Sequence, residues 1–226
     1  MRAGGPGVPR FVELNHVLHD AMAPYPGLPT PRIGAFRDHA ASRPFYGNQA
    51  EFYLGTVEMP CNVGTYLDSP FHRYPEGEDL SQIPLEMVAG LPGIVLDAQV
   101  SADRAATVQA TAEELRGRAV LIRTGWDQRW GMERYWEPGP YLSGDSLALM
   151  LEARPALVGV DFWNIDDTQD PARPAHTRLL GTRILIVEHL ANLGALPRTG
   201  FRFSAVPLRI ARGASFPVRA FAEITP

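Results

Sequence analysis

Hydrophobic and polar positions along the chain form short apolar runs separated by polar, turn-rich connections. Three runs are apolar throughout, at residues 120–122, 157–160 and 184–187. Such runs are typical of strands that are buried on both faces of a sheet. Together with β-branched and aromatic runs elsewhere, the pattern predicts strands over residues 11–15, 51–58, 93–100, 119–124, 156–161, 183–188 and 201–210.

Helix-start signals lie between these strands. Thr111 begins a sequence with the form of a capping box, and Ser143 is placed to cap a helix over residues 144–154. Pro174 is placed to open a third helix, which carries His176. The alternation of central strands and short helices predicts an α/β fold with additional antiparallel strands at both ends of the chain.

Length and charge limit the classes of protein that fit. The 226 residues contain no repeat and no evident linker, so we expect a flexible segment over residues 1–10 and a single domain over residues 11–226. The formal net charge of -4 gives no reason to expect binding to nucleic acid or to an anionic membrane surface. We therefore expect a small-molecule substrate.

Two further features of the composition concern location and chemistry. No signal peptide is evident, and no run approaches the ~20 apolar residues of a membrane helix. Because Cys61 is the only cysteine, an internal disulfide is excluded, and we expect a cytoplasmic protein. Every basic side chain is arginine, which excludes a catalytic lysine.

Residues 61–72, with the sequence CNVGTYLDSPFH, are the strongest candidate for a functional motif. If this segment is extended, the side chains of Asn62, Tyr66 and Asp68 project from the same side of the backbone. His72 follows shortly after, so we expect these four residues to line one pocket. Cys61 would then face the opposite way, as a buried structural thiol.

The segment resembles the HxGTHxDxPxH motif of the cyclase family of metal-dependent hydrolases, which includes kynurenine formamidase and isatin hydrolase. It keeps these residues of the motif in register: Gly64, Thr65, Asp68, Pro70 and His72. Asn62 and Tyr66 stand where the family has two metal-binding histidines. Further resemblances follow in the family's order at residues 13–16, 24–27, 119–126, 159–161, 166, 174–176, 188–193 and 213–220.

The resemblance implies a role for each matching residue. His72 corresponds to the proton-transferring histidine, and Asp68 corresponds to the carboxylate that bridges two metals. His176 and Glu188 correspond to the remaining ligands of the second metal. The resemblance also implies a swivelling β/β/α-type domain, with a mixed sheet and short helices, that assembles as a homodimer or homotetramer.

Ligand chemistry indicates that the first metal position is degenerate. The Asn62 amide is a weak ligand, and the Tyr66 phenol must lose a proton with a reference pKa of about 10 to bind well. Carboxylate and imidazole are good ligands for zinc or manganese. We therefore expect one divalent ion, held by Asp68, His176 and Glu188, or none if the second metal position is also lost.

Three functions remain open from the sequence. The first is a hydrolase of a small amide or lactone, in which metal-activated water attacks, His72 shuttles the proton and Tyr66 donates a hydrogen bond to the oxyanion. The second is a metal-free member of the family, in which His72, Tyr66 and Asp68 support cyclisation, dehydration or isomerisation. The third is a non-catalytic protein that binds a small molecule.

Aromatic residues add expectations about the surroundings of the pocket. Phe162 and Trp163 are predicted to narrow it and to favour a flat, apolar substrate. Phe45 and Tyr46 are candidates for a loop that closes over it. The aromatic-rich stretch over residues 126–141 is predicted to be a surface loop or a subunit contact. The remaining histidines are expected to be ordinary structural or surface residues, namely His16, His19, His39 and His189.

Overall fold

A nine-stranded mixed sheet lies at the centre of the computed structural model, which describes residues 9–225. The strands of the molecule are β1 Arg10–Glu13, β2 Arg32–Arg37, β3 Leu54–Glu58, β4 Tyr66–Asp68, β5 Leu91–Asp97, β6 Gln99–Val100, β7 Ala105–Thr107, β8 Ala119–Arg123, β9 Tyr141–Leu142, β10 Leu157–Val160, β11 Leu185–Glu188, β12 Phe201–Ser204, β13 Ser215–Pro217 and β14 Phe221–Ile224. The α-helices are α1 His39–Ser42, α2 Ala112–Leu115, α3 Gly144–Ala153 and α4 Pro174–Gly181. Short 3-10 helices cover Arg43–Tyr46, Pro70–His72, Leu85–Met87, Trp126–Arg129, Glu133–Trp136 and Leu193–Ala195.

The order of the strands explains why the sheet is mixed. From one edge of the sheet to the other, the strands lie in the order β1-β14-β12-β5-β8-β10-β11-β4-β13. The four central strands, β5, β8, β10 and β11, are parallel, and antiparallel strands flank them on both sides. Strands β8, β10 and β11 come from the three fully apolar runs of the sequence, which confirms the predicted α/β fold class with its mixed sheet and short helices.

Each face of the sheet carries its own hydrophobic core, because alternate residues of a strand point to opposite faces. One core contains Leu67, Leu121, Leu157, Leu185 and Val187. The other contains Val120, Val158 and Ile186 and is covered by Met150 of α3 and Leu179 of α4. Tyr66, Asp68 and Glu188 alternate with residues of the first core, so they lie on the face that α4 covers.

The helix starts follow the capping signals that the sequence predicts. Thr111 and Glu114 form a capping box at α2, and the Ser143 side chain accepts a hydrogen bond from the Ser146 amide at α3. Pro174 occupies the first turn of α4. These three helix predictions are confirmed, and α4 places His176 in its first turn beside the sheet.

The motif segment departs from the extended conformation that we predicted. Only Tyr66–Asp68 forms a strand, whereas residues 61–65 form a series of bends. Gly64 has a φ of 67°, in the left-handed region that glycine adopts most readily, and a Cβ there would crowd the Leu18 side chain. Because alternation fails before Tyr66, the prediction of a buried Cys61 is wrong, and its side chain is exposed.

The N-terminal boundary also differs slightly from the prediction. Arg10 already belongs to β1, which pairs with β14 at one edge of the main sheet. Residues 1–8 of the predicted flexible segment lie outside the described residues. Of the helices in residues 9–225, none combines the length and the apolar character needed to cross a membrane.

Residues 32–58 form a projecting arm, in which β2 and β3 pair as a separate two-stranded sheet. Large apolar side chains on the arm are exposed, including Phe36 at 68% and Val57 at 60%. Near its root, the Ile33 amide donates a hydrogen bond to Asp20 Oδ1 at 2.8 Å. Phe45 and Tyr46 also lie exposed on this arm.

Candidate metal centre and active site

Strand pairing brings the chemical groups of the motif together. In β4, Tyr66 lies opposite Glu188 of β11, and Asp68 lies opposite Ser215 of β13. Side chains directly opposite one another in an antiparallel pair project from the same face with their Cβ atoms about 5 Å apart. Tyr66 and Asp68 are two residues apart and share that face as well. The register therefore concentrates these four side chains on the face below α4.

The three predicted ligands converge at this point. His176 Nε2 lies 3.7 Å from Asp68 Oδ2 and 3.6 Å from Glu188 Oε1. One ligand atom from each residue falls within a group whose members are all within 4.8 Å of one another, and all three residues are buried. Asp68 Oδ2 is buried without a hydrogen-bond partner among the described residues. An unpaired buried carboxylate oxygen is costly, so this atom fits a role as a cation ligand.

Asp166 fixes the orientation of His176. Its carboxylate accepts a hydrogen bond from His176 Nδ1 at 2.6 Å. It also accepts the backbone amides of Ala175 at 2.6 Å and His176 at 3.0 Å, at the start of α4. This contact leaves Nε2 of His176 to face Asp68 and Glu188. A carboxylate behind a ligating histidine is a common arrangement in metal sites, since it fixes the ring and raises its basicity.

The electrostatics of the centre indicate a demand for positive charge. Burial lowers the pKa of His176, but the charges of Glu188 and Asp68 and the hydrogen bond to Asp166 outweigh it and raise the pKa to about 10. Burial also raises the pKa of Glu188 to about 7, against the opposing charge of His176. Without an ion, a proton on His176 therefore supplies the positive charge between the carboxylates.

A hydrogen-bonded chain prepares His72 to accept a proton. Ser215 Oγ donates to Asp68 Oδ1 and lies 3.2 Å from His72 Nδ1. Because the one hydroxyl proton of Ser215 is given to Asp68, Nδ1 of a neutral His72 acts as the donor to Oγ. The lone pair of His72 then lies on Nε2. Burial lowers the pKa of His72 although the charge of Asp68 opposes it, and its ring centre lies 5.6 Å from that of His176.

The two degenerate positions have taken on other contacts. Asn62 Nδ2 lies 3.5 Å from Asp68 Oδ1, a long hydrogen bond. The Tyr66 hydroxyl donates to Glu188 Oε2. Burial, reinforced by the charges of Glu188 and Asp68, raises the pKa of Tyr66 well above its usual value. Tyr66 therefore keeps its proton, and its hydroxyl donates to Glu188 rather than pointing a free O–H at the predicted oxyanion position.

The predicted pocket residues Phe162 and Trp163 have different surroundings. Phe162 is fully buried and packs in the hydrophobic core beneath α3 and α4, and its place beside the pocket stays a prediction. The chain turns after β10 ends at Val160, and this turn directs Phe162 into the core. The indole N–H of Trp163 donates to the carbonyl oxygen of Glu137 at 3.0 Å, and its ring contacts that of Tyr25.

The aromatic-rich stretch over residues 126–141 packs largely against its own chain. Tyr135 is 1% exposed, and Trp130 stacks on His16 with ring centres 3.8 Å apart. Tyr135 also hydrogen-bonds His189 Nδ1 at 2.7 Å. His189 is itself buried beside Tyr66, with ring centres 5.4 Å apart, rather than facing away from the site. Burial lowers the pKa of His189 to about 3.

Comparison with known proteins identifies the family. The model of the family described as "Putative cyclase" matches residues 12–167. The chain belongs to this family. This membership confirms the family resemblance seen in residues 61–72. At positions 62 and 66, however, this chain carries asparagine and tyrosine.

Relatives of this cyclase-family chain are hydrolases. Kynurenine formamidase from Salinibacter ruber is 27% identical over 186 residues, which cover 79% of this chain and 84% of that protein. Isatin hydrolase from Roseibium aggregatum is 34% identical over 119 residues, covering 48% and 45%. The structure of isatin hydrolase A from Labrenzia aggregata, bound to benzyl benzoate, is 26% identical with a TM-score of 0.77, covering 96% and 94%. The prediction of a hydrolase is confirmed at this level.

Proposed function

We propose that this chain hydrolyses a small amide or lactone with a single divalent ion held by Asp68, His176 and Glu188. The observation that carries the proposal is the buried Asp68 Oδ2, which has no hydrogen-bond partner within residues 9–225 and faces His176 Nε2 at 3.7 Å. The donor set of two carboxylates and one imidazole suits zinc or manganese. An ion at this position would lower the pKa of a water toward about 7 and polarise the substrate carbonyl.

His72 moves the proton in the proposed reaction. Its Nε2 lone pair accepts a proton from water as the water oxygen bonds to the carbonyl carbon. The same nitrogen then gives this proton to the leaving nitrogen or oxygen as the bond to the carbonyl carbon breaks. Water thus supplies the carboxyl oxygen of one product and the proton of the other. Ser215 and Asp68 hold the opposite side of the His72 ring throughout.

Tyr66 and Asn62 shape the site rather than bind a second ion. The Tyr66 hydroxyl holds Glu188 Oε2, while Ile165 N donates to Glu188 Oε1 at 2.7 Å. This leaves the carboxylate fixed in position below α4. Because both substituted residues contact the acids of the remaining position, one ion is the arrangement that these contacts favour.

Elemental analysis combined with activity tests this proposal. Protein purified without chelators should contain at most one tightly bound zinc or manganese per chain, and removal of the ion should abolish hydrolysis of aryl formamides and lactones. A Glu188→Gln variant should bind metal more weakly, whereas Glu223→Gln, on β14 near the opposite end of the sheet, should not. Two ions per chain would contradict the single-ion site. Full turnover without metal would favour instead a metal-free reaction carried by His72, Tyr66 and Asp68.

A further inference from the structure

His189 occupies an unusual backbone position directly after the ligand Glu188. Its φ is 57°, in the left-handed region that few residues other than glycine adopt, histidine, asparagine and aspartate being the more frequent among them. In a continuing strand, His189 would face the side of the sheet opposite Glu188. The left-handed turn instead places its ring against that of Tyr66. A left-handed backbone conformation thus holds a histidine beside the substituted residue Tyr66.

The partner of Nδ1 fixes where the ring proton lies. The Tyr135 hydroxyl is buried and has His189 Nδ1 as its only hydrogen-bond partner among residues 9–225. Burial and the charge of Asp161 raise the pKa of Tyr135 well above its usual value, so the phenol keeps its proton. A buried O–H without an acceptor is costly, so Tyr135 donates to Nδ1. The proton of the neutral imidazole is therefore on Nε2.

Nε2 is the polar atom of His189 that remains unused. The backbone amide of His189 donates to the carbonyl oxygen of Phe162, and its carbonyl oxygen accepts from Thr65 Oγ1. In the part of the chain that the structure describes, no hydrogen bond involves Nε2. Aromatic rings surround the imidazole, with Trp130 at 5.8 Å and Trp136 at 5.9 Å between ring centres. The ring is thus held rigidly, with an N–H donor directed away from Tyr135.

The proposed reaction requires such a donor. Negative charge develops on the carbonyl oxygen as water adds, and fixed N–H groups in a dry site stabilise it. The sequence suggested Tyr66 for this role, but the Tyr66 hydroxyl donates its hydrogen bond to Glu188. We propose that His189 binds the developing oxyanion through Nε2–H and that Tyr135 is the positioning residue that fixes its tautomer. This assignment rests on the proposed hydrolase function of the same site.

Substitutions at both positions test the assignment. His189→Phe keeps a flat ring but removes the donor, and it should lower kcat by about 10²–10³-fold with little change in KM. His189→Gln retains an N–H donor and should recover part of that loss. Tyr135→Phe should lower kcat by a smaller factor. The His189 ring stays in place, but without the Tyr135 hydroxyl the tautomer of His189 is no longer fixed. The exposed His39→Gln is the matched control and should behave as wild type.

Metal content and the thermal midpoint are measured for each variant to separate misfolding from loss of the donor. A folded, metal-loaded His189→Phe variant with kcat within about threefold of wild type would overturn the assignment, since one oxyanion donor is worth far more. Equal losses with His189→Phe and His189→Gln would also overturn it, because only the first removes the donor.

Nitrogen NMR of the histidine rings in the zinc-loaded protein gives a readout independent of turnover. The Nε2–H tautomer of His189 is expected in the wild type and a mixture of tautomers in Tyr135→Phe. Benzoate, an aromatic carboxylate that resembles a hydrolysis product, should shift the Nε2 resonance. An Nδ1–H tautomer, or no shift at saturating benzoate, would refute the assignment. If the wild type hydrolyses no amide or lactone, the proposed function fails, while the NMR result still shows whether Nε2–H of His189 binds a carboxylate.

Discussion

Replacing Asp166 with asparagine tests the idea that the centre is built to hold an ion. The carboxylate accepts three hydrogen bonds at the start of α4, including the 2.6 Å contact with His176 Nδ1. Asparagine keeps the shape and one oxygen but loses the negative charge. Its NH₂ group would also face backbone N–H donors. His176 should therefore become less basic and less well oriented.

The expected loss of metal affinity follows from the position of Asp166 behind a ligand. Substitution of a group that orients a metal-bound histidine typically weakens metal binding by about 10–100-fold. This corresponds to about 1.4–2.8 kcal/mol, since each tenfold change in Kd is worth about 1.4 kcal/mol. Turnover at saturating metal should fall less, because the three ligands themselves remain.

Competition with a fluorescent zinc chelator at neutral pH measures this difference. Asp167→Asn is a matched control, because it removes the same charge one residue away, where the carboxylate pairs with Arg104 rather than His176. The control should bind zinc as the wild type does. An Asp166→Asn variant that folds and shows the wild-type Kd would refute the role assigned to Asp166 and weaken the case for His176 as a ligand.

Four further predictions follow from the same structure. His72→Ala should lower kcat by about 10²–10⁴-fold, the usual range for general acid–base catalysis, and a fully active variant would assign the proton transfer elsewhere. With Asn62 and Tyr66 in place of two ligands, kcat/KM for N-formylkynurenine should stay below about 10⁴ M⁻¹s⁻¹ in an absorbance assay; a higher value would show that the first metal position is dispensable. Light scattering should give a molar mass of at least twice the 24.8 kDa of one chain, because the exposed apolar arm of residues 32–58 favours contact with a second copy. A monomer at micromolar concentration would contradict this. Burial lowers the pKa of His16 from 6.5 to about 4, so the unfolded state binds more protons than the folded state between these pH values. The free energy of unfolding, measured with denaturant, should therefore fall as the pH drops from 6.5 toward 4. The fall should be less steep in His16→Gln.

The central fold was predictable because its signals are local. Continuous apolar runs identify strands buried on both faces, capping residues mark the starts of α2 and α3, and a proline in the first turn marks the start of α4. The arm was only half predicted, since residues 51–58 read as a strand but the partner over residues 32–37 did not. Exposed residues occupy both faces of β2, so it lacks the alternation from which a strand is recognised.

The site was predictable only as far as the motif and its spacing reach. Asp68, His176, Glu188 and His72 come together as expected. The contacts of Tyr66 were not predictable, because the register between β4 and β11 sets its partner, and register depends on tertiary structure. His189 was missed for a related reason. Strand alternation places it on the far face, and the left-handed turn that reverses this has no sequence signal when the residue is not glycine.

Anomalous diffraction at the zinc edge, from crystals of the zinc-reconstituted protein, would locate the proposed ion. We expect one strong anomalous peak per chain, contacted by Asp68 Oδ2, His176 Nε2 and Glu188 Oε1, with the Tyr66 hydroxyl still hydrogen-bonded to Glu188. The single-ion site would be contradicted by a peak bound to Asn62 or Tyr66, or by two peaks at this centre. It would also be contradicted if zinc fully occupied another site while no peak appeared between the three ligands.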